Sequence, residues 1–170
     1  MNSKKNLVIL GQMAVGKSTI GALVAKKLGL KFYDTDKIIE NEAEMSVAEI
    51  FEKRSENFFR SLEEKIILKN LRNEKSIISL GGGAFLNEKI RKEIIENHVS
   101  FWLDCNDKTL IRRIRNNKKR PIANKLNNQE LIELIAKRRK IYKKAKFKIQ
   151  CDKLTKIEVV NNILELYETN

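Results

Sequence analysis

An α/β fold, with a parallel sheet carrying helices on both faces, is what this sequence predicts. Two observations lead there. Short apolar runs alternate with segments of helical spacing along the whole chain. The first such run, Leu7-Val8-Ile9-Leu10, feeds Gly11-Gln12-Met13-Ala14-Val15-Gly16-Lys17-Ser18, which fits G-x-x-x-x-G-K-[ST]. Four constrained positions arise by chance in roughly one chain per hundred of this length, so the match carries weight.

The elements follow in order. Residues 6–10 read as the first strand. Residues 17–28 form its helix, with Ile20, Leu23, Val24 and Leu28 at helical spacing and Gly29 as a stop. Lys31-Phe32-Tyr33 is a short strand ending at Asp34. Residues 37–44, 46–53 and 56–72 read as successive helices. Ser76-Ile77-Ile78-Ser79 is a strand delivering the chain into Gly81-Gly82-Gly83. A helix over 87–96 precedes a strand at 99–103, and a helix near 107–115 leads into an irregular charged segment, 116–127, holding the only proline, Pro121. A helix at 129–144, a strand at 147–149 and a helix at 155–167 complete the pattern.

At 170 residues the chain is long enough for one domain with its own core. No run approaches the roughly 20 apolar residues of a membrane span. The N-terminus runs directly into the first strand, which leaves no room for a signal peptide and predicts a cytoplasmic protein. Cys105 and Cys151 lie far apart in sequence and form no C-x-x-C group, so reduced thiols are expected. His98, the only histidine, argues against a Ser-His-Asp triad and a multi-histidine metal site; it reads as structural or solvent-facing. The net charge of +13 admits a nucleic-acid-binding face, but the lysine runs lack stacking aromatics. Solvated lysines plus a few serving an anionic nucleotide and substrate fit better.

In the glycine loop each fixed position has a task. Gly11 and Gly16 let the backbone turn so that amide N–H groups face phosphate oxygens. Lys17 brings charge to the outer phosphates, and Ser18 offers a hydroxyl to the accompanying Mg²⁺. In an open parallel sheet, ligands sit beyond the carboxyl ends of the strands. That directs attention to Asp34-Thr35-Asp36, Gly81-Gly82-Gly83 and Asp104.

In an extended segment Asp34 and Asp36 face the same side, where one could hold the metal's water shell and the other an attacking hydroxyl. Either could instead cap the following helix. Leu131, Ile135, Arg138 and Tyr142 share one helix face, so Arg138 needs an anionic partner, such as a substrate carboxylate, or an internal salt bridge or route to solvent. Arg60 has Glu63 and Glu64 one turn on; a surface ion pair and a substrate contact are both open. The basic stretch Arg112 to Pro121 suits either a flap closing over phosphate or a solvated loop.

These pieces, in this order, resemble shikimate kinase over about residues 7–165. The resemblance lies in G-Q-M-A-V-G-K-S-T-I-G at 11–21, D-T-D at 34–36, F-F-R-S-L-E at 58–63, S-L-G-G-G-A at 79–84, R-R at 112–113, R-P-I-A at 120–123 and A-K-R-x-x-x-Y at 136–142. It implies a three-layer P-loop kinase fold of one domain, 1–170, with a five-stranded parallel sheet of order 2-3-1-4-5. It implies a lid at about 112–127 and a substrate-binding helical segment at about 34–62. The implied reaction moves the γ-phosphoryl of ATP to the 3-hydroxyl of shikimate, in aromatic amino-acid biosynthesis, in a protein expected to be a monomer.

The resemblance also implies roles. Gly11, Ala14, Val15, Gly16, Lys17, Ser18 and Thr19 would hold the nucleotide, with Arg113 against the adenine and Arg120 as the lid arginine on the phosphates. Ser18 and Asp34 would serve Mg²⁺. Asp36 would hold the acceptor hydroxyl or act as base, beside Lys17 and Arg120 as catalytic groups. Arg60 and Arg138 would clamp the shikimate carboxylate, and Gly81, Gly82 and Gly83 would line the acceptor site. Three positions depart from the family pattern: Ala14 replaces a glycine and needs a negative φ or some strain, Ser55 replaces a glycine, and Lys140 replaces a proline. A gluconate kinase is the enzyme alternative. A basic nucleic-acid-binding P-loop module is the alternative of another class.

Overall fold

The computed structural model describes residues 5–73, 75–116, 123 and 125–169. Five strands form one parallel sheet: β1 (Leu7–Gly11), β2 (Lys31–Asp34), β3 (Ser76–Ser79), β4 (Val99–Asp104) and β5 (Phe147–Gln150). Their order is β2-β3-β1-β4-β5. The described helices are α1 (Lys17–Leu28), α2 (Thr35–Ala43), α3 (Val47–Lys53), α4 (Glu56–Leu71), α5 (Glu88–Asn97), α6 (Asp107–Arg115), α7 (Asn128–Tyr142) and α8 (Lys156–Glu168), with a short 3₁₀ turn at Ala84–Leu86.

β1 lies between β3 and β4 and is buried along its whole length. A strand covered on both faces must be apolar at successive positions, which is why Leu7-Val8-Ile9-Leu10 shows no alternation. Its odd and even residues feed different layers. Leu7 and Ile9 pack with Val24 of α1, Leu110 and Ile114 of α6, Leu131 and Ile135 of α7, and Val159 and Ile163 of α8. Val8 and Leu10 pack with Ile67 and Leu71 of α4 and Ile90 and Ile94 of α5 on the opposite face. Each fully buried Leu, Ile or Val contributes roughly 1.5–3 kcal/mol. A smaller cluster of Ile39, Ile50, Phe59 and Ile66 joins α2, α3 and α4 into a buttress beside the sheet.

At the amino ends of the strands, Asn6 is fully buried and its amide is saturated. Nδ2 donates to the Leu71 carbonyl at 2.8 Å, and Oδ1 accepts from the Ser76 amide at 3.0 Å and the Ser76 hydroxyl at 2.8 Å. The Asn6 amide donates to His98 Nδ1 at 3.2 Å. His98 is thus a buried structural residue, and burial lowers its pKa. Local signals set the helix starts: Ser46 with Glu49, Asn127 with Glu130, and Thr155 with Glu158 each complete a capping box. Ser55 accepts from the Phe58 amide at 3.1 Å as the N-cap of α4, which gives the serine at that departing position a task.

Candidate functional site

The glycine loop joins β1 to α1 at the carboxyl edge of the sheet. Gly11 has φ 143° and passes so close to β4 that a Cβ would stand 2.4 Å from the Leu103 carbonyl oxygen. Gly16 caps α1 with φ 108°. Ala14 sits at φ 62°, so of the two possibilities open to it the loop adopts the strained one. A left-handed alanine costs roughly 1–2 kcal/mol. Lys17 is buried and its ammonium donates to the Gly11 carbonyl at 3.0 Å and the Gln12 carbonyl at 2.8 Å. Ser18 and Thr19, in the first turn of α1, face solvent.

Ala14, Val15, Gly16 and Thr19 form one wall of a cleft of about 740 Å³, with Arg113, Cys151 and Leu154 across it. Arg113 Nη1 donates to the Val15 carbonyl at 3.3 Å, so α6 brings this arginine to the loop. Arg120 lies outside the described residues, as do 117–119, 121, 122 and 124 of the expected lid.

The aspartates are arranged differently from the extended expectation. Helix α2 begins at Thr35, not 37, and Asp34 is its N-cap, accepting from the Lys37 amide at 3.4 Å. Asp36 therefore stands in the first helical turn, and alternation along a strand does not govern the pair. The cause is local: Asp34 can satisfy an orphan amide of α2 as soon as β2 ends. Thr35 is buried, and its hydroxyl accepts from the Gly81 amide at 3.1 Å, which pins the start of α2 to the glycine triplet.

Around that triplet three expected side chains converge. Asp36, Arg60 and Arg138 line a second cleft of about 460 Å³, together with Met13, Phe59 and Glu63. The absence of side chains at 81–83 makes room for them. A Cβ on Gly81 would lie 2.5 Å from Asp36 Oδ1, one on Gly82 3.4 Å from Arg138 Nη1, and one on Gly83 2.7 Å from Arg60 Nη1. Met13, from the glycine loop, lines this same cleft, so the two clefts adjoin across that loop.

Arg60 is neither a plain surface pair nor unpartnered. Its guanidinium donates to Glu63 Oε2 at 2.6 Å and to Glu56 Oε1 at 3.4 Å. Glu64 turns away to Asn87 and Lys89. Glu63 is 2% exposed, and burial raises its pKa against the opposing pull of Arg60. Arg138 shares the buried face of α7 with Leu131, Ile135 and Tyr142, as its spacing predicts. It is 5% exposed, its Nη1 makes only a 3.5 Å contact to Gln12 Oε1, and Nε has no hydrogen-bond partner among the described residues. Burial lowers its pKa. A buried guanidinium with an unsatisfied Nε attracts an anion, and a carboxylate matches its planar fork.

Four contributors were not singled out by sequence as parts of this site. Glu63 orients Arg60. Gln12 links the loop to α7 through Nε2 and the Ile135 carbonyl at 3.2 Å. Met13 supplies apolar lining, and Tyr142 bonds the Gly82 carbonyl. The A-K-R-x-x-x-Y stretch held the signal for Tyr142; nothing local marked Gln12 or Met13.

A family model described as shikimate kinase matches residues 13–168. A shikimate kinase of Bacillus subtilis is 40% identical over 164 residues, covering 95% of this chain and 88% of that protein. Among solved structures, shikimate kinase from Aquifex aeolicus aligns with TM-score 0.86 at 32% identity, covering 96% of both chains. Shikimate kinase from Acinetobacter baumannii in complex with shikimate aligns with TM-score 0.92 at 26% identity, covering 99% of this chain and 96% of that one.

Proposed function

This chain belongs to the shikimate kinase family, a phosphotransferase moving the γ-phosphoryl group of ATP to the 3-hydroxyl of shikimate, and we propose how its own residues divide that work. The observation that carries the proposal is the convergence of Asp36, Arg60 and Arg138 on the glycine triplet, one loop away from Lys17. The cleft at Ala14, Val15, Gly16, Thr19 and Arg113 takes the nucleotide, and the Gly81–Gly83 cleft takes shikimate.

Arg138 and Arg60 hold the shikimate carboxylate. Charge-assisted contacts contribute roughly 1.5–3 kcal/mol each, so two guanidiniums distinguish an acid from a neutral cyclic alcohol by orders of magnitude. Glu63 keeps Arg60 extended over the cleft rather than folded into solvent. Asp36 then receives the 3-hydroxyl, orients its lone pair toward the γ-phosphorus and accepts its proton as the P–O bond forms. Lys17 moves from the Gly11 and Gln12 carbonyls to the outer phosphate oxygens, neutralising charge that builds during transfer. Arg120, in the basic segment, is proposed to join it.

Phosphoryl transfer of this kind is governed by placement and charge rather than covalent catalysis. Among the described residues no group of three or more His, Cys, Asp or Glu could hold a metal unaided. A Mg²⁺ arriving on the nucleotide would be held by the exposed Ser18 hydroxyl and the Asp34 carboxylate and would screen phosphate charge. No described helix is long and apolar enough to cross a membrane, and we read the protein as a cytoplasmic monomer.

The test is ADP release in a coupled assay over an acceptor panel. Turnover should require shikimate and fall away with gluconate, nucleoside monophosphates and uncharged cyclic alcohols. Better turnover of gluconate would overturn the acceptor assignment, and strong salt-sensitive retention of RNA would favour the nucleic-acid reading.

A further inference from the structure

The two cysteines, distant in sequence, meet beside the nucleotide cleft. β4 and β5 are parallel neighbours whose last paired residues are Asp104 and Gln150. The Cys151 amide donates to the Asp104 carbonyl at 2.8 Å, which carries the register one residue further. Cys105 and Cys151 are therefore opposite one another, and opposite residues of a parallel pair point to the same face. Both pack in the cluster containing Leu103 and Ile149, the residues two positions earlier on each strand. Neighbouring strands lie about 4.8 Å apart, within the Cα separation of roughly 4.4–6.8 Å that a disulfide spans.

The chemistry of the pair is also unusual. Arg113 Nη1 stands 3.9 Å from Cys105 Sγ, and Cys151 Sγ donates to the Ile149 carbonyl at 3.5 Å. The first ionisation falls on Cys105, beside the Cys151 thiol and the facing guanidinium; the Cys105 pKa is lowered and the Cys151 pKa raised. Cys105 is buried, whereas Cys151 is only partly so and lines the cleft with Ala14, Gly16 and Arg113. Nothing in phosphoryl transfer uses either sulfur.

We propose that Cys105 and Cys151 are a reversible dithiol–disulfide site, oxidised by small disulfides entering the nucleotide cleft, and that the oxidised form binds ATP more weakly. As Cys151 attacks one sulfur of the small disulfide, its proton passes to the neighbouring Cys105 thiolate. A mixed disulfide forms on Cys151 and one small thiolate leaves. Cys105 then gives up its proton to solvent and attacks the Cys151 sulfur, releasing the second small thiolate. Two protein thiols are oxidised by two electrons, the small disulfide is reduced to two thiols, and the two protein protons end on them.

Closing the bond brings the sulfurs to about 2.05 Å. It draws Cys151 toward Cys105 at the cleft wall and removes the thiolate charge that Arg113 faces. The acceptor cleft shares none of these groups. The consequence for ATP rests on the nucleotide-cleft reading above; formation of the bond does not.

The test equilibrates the full chain in glutathione buffers from reduced to oxidised, alkylates the remaining thiols, and reads intact mass and steady-state kinetics. Both thiols should disappear together without a retained glutathione, KM for ATP should rise several-fold with little change in KM for shikimate, and dithiothreitol should reverse both effects. Cys151→Ser should keep its own KM for ATP across all buffers, whereas Cys105→Ser should retain a glutathione on Cys151 in oxidised buffer. A stable glutathione adduct on Cys151 alone, or two alkylatable thiols in oxidised buffer, would overturn the site. A disulfide that leaves KM for ATP unchanged would overturn its effect on nucleotide. Absence of shikimate-dependent turnover in the reduced protein would count against the functional reading instead.

Discussion

The Tyr142 hydroxyl donates a short hydrogen bond to the Gly82 carbonyl and lies 3.4 Å from the Gly11 carbonyl, so one buried phenol bridges the acceptor triplet and the phosphate loop. Burial pushes its pKa up to about 12, and it stays a neutral donor throughout the working pH range. Tyr142→Phe keeps the ring and leaves the Gly82 carbonyl unsatisfied. The expected loss is about 1–3 kcal/mol of stability, seen as a lower melting temperature. KM for shikimate should rise more than KM for ATP, since Gly82 borders the acceptor.

Asp36→Asn keeps the shape and removes the base. kcat should fall by about 100-fold or more, while ATP affinity by calorimetry stays close to that of the parent. Near-normal turnover would remove Asp36 from the proton-accepting role.

Arg138 is buried, makes no direct ion pair among the described residues, and leaves its Nε without a hydrogen-bond partner there. Arg138→Met should raise KM for shikimate by roughly 10–100-fold with KM for ATP little changed. Shikimate should stabilise the parent against heat and fail to stabilise the variant.

Gly83 has φ −97° and ψ −13°, a backbone that alanine adopts freely. Gly83→Ala therefore tests space alone. The new methyl would lie 2.7 and 2.8 Å from the two terminal nitrogens of Arg60. Arg60 is partly exposed and can swing aside, so stability should hold while shikimate affinity drops. A cooperative loss of folding instead would show that Arg60 is fixed.

His98 has a lowered pKa because burial disfavours its charged form. The unfolded chain then takes up the proton first. Its contribution to stability is full above the unfolded value near 6.5 and is lost as pH falls toward the folded value. Thermal melts from pH 8 to pH 5 should fall more steeply for the parent than for His98→Gln.

Much of this architecture was legible because its causes are local. β1, the glycine loop and α1 are contiguous, and a buried parallel strand leaves a plain apolar run. Arg138 betrayed itself by standing in an apolar stripe, a conflict that only a ligand or a partner resolves. What stayed hidden arises where segments distant in sequence meet. Glu63 looked like a routine helix-surface charge until α4 packed against the triplet. Cys105 and Cys151 were read as separate thiols because only the β4–β5 register makes them neighbours. Of the two roles open to the aspartates, Asp34 takes the helix cap, which puts Asp36 in a helical turn rather than an extended segment. Ala14 offered two outcomes, and the path of the loop selected the left-handed one.

Asn6 closes the opposite edge of the sheet, far from any reacting atom, with its amide shared among β3, α4 and the residue before β4. The protein is thereby polarised: one rim carries the proposed site, and the other serves as its keystone. Thermal robustness can accordingly be engineered at the keystone rim without touching turnover, and heat-sensitive variants that still bind both substrates normally should map there.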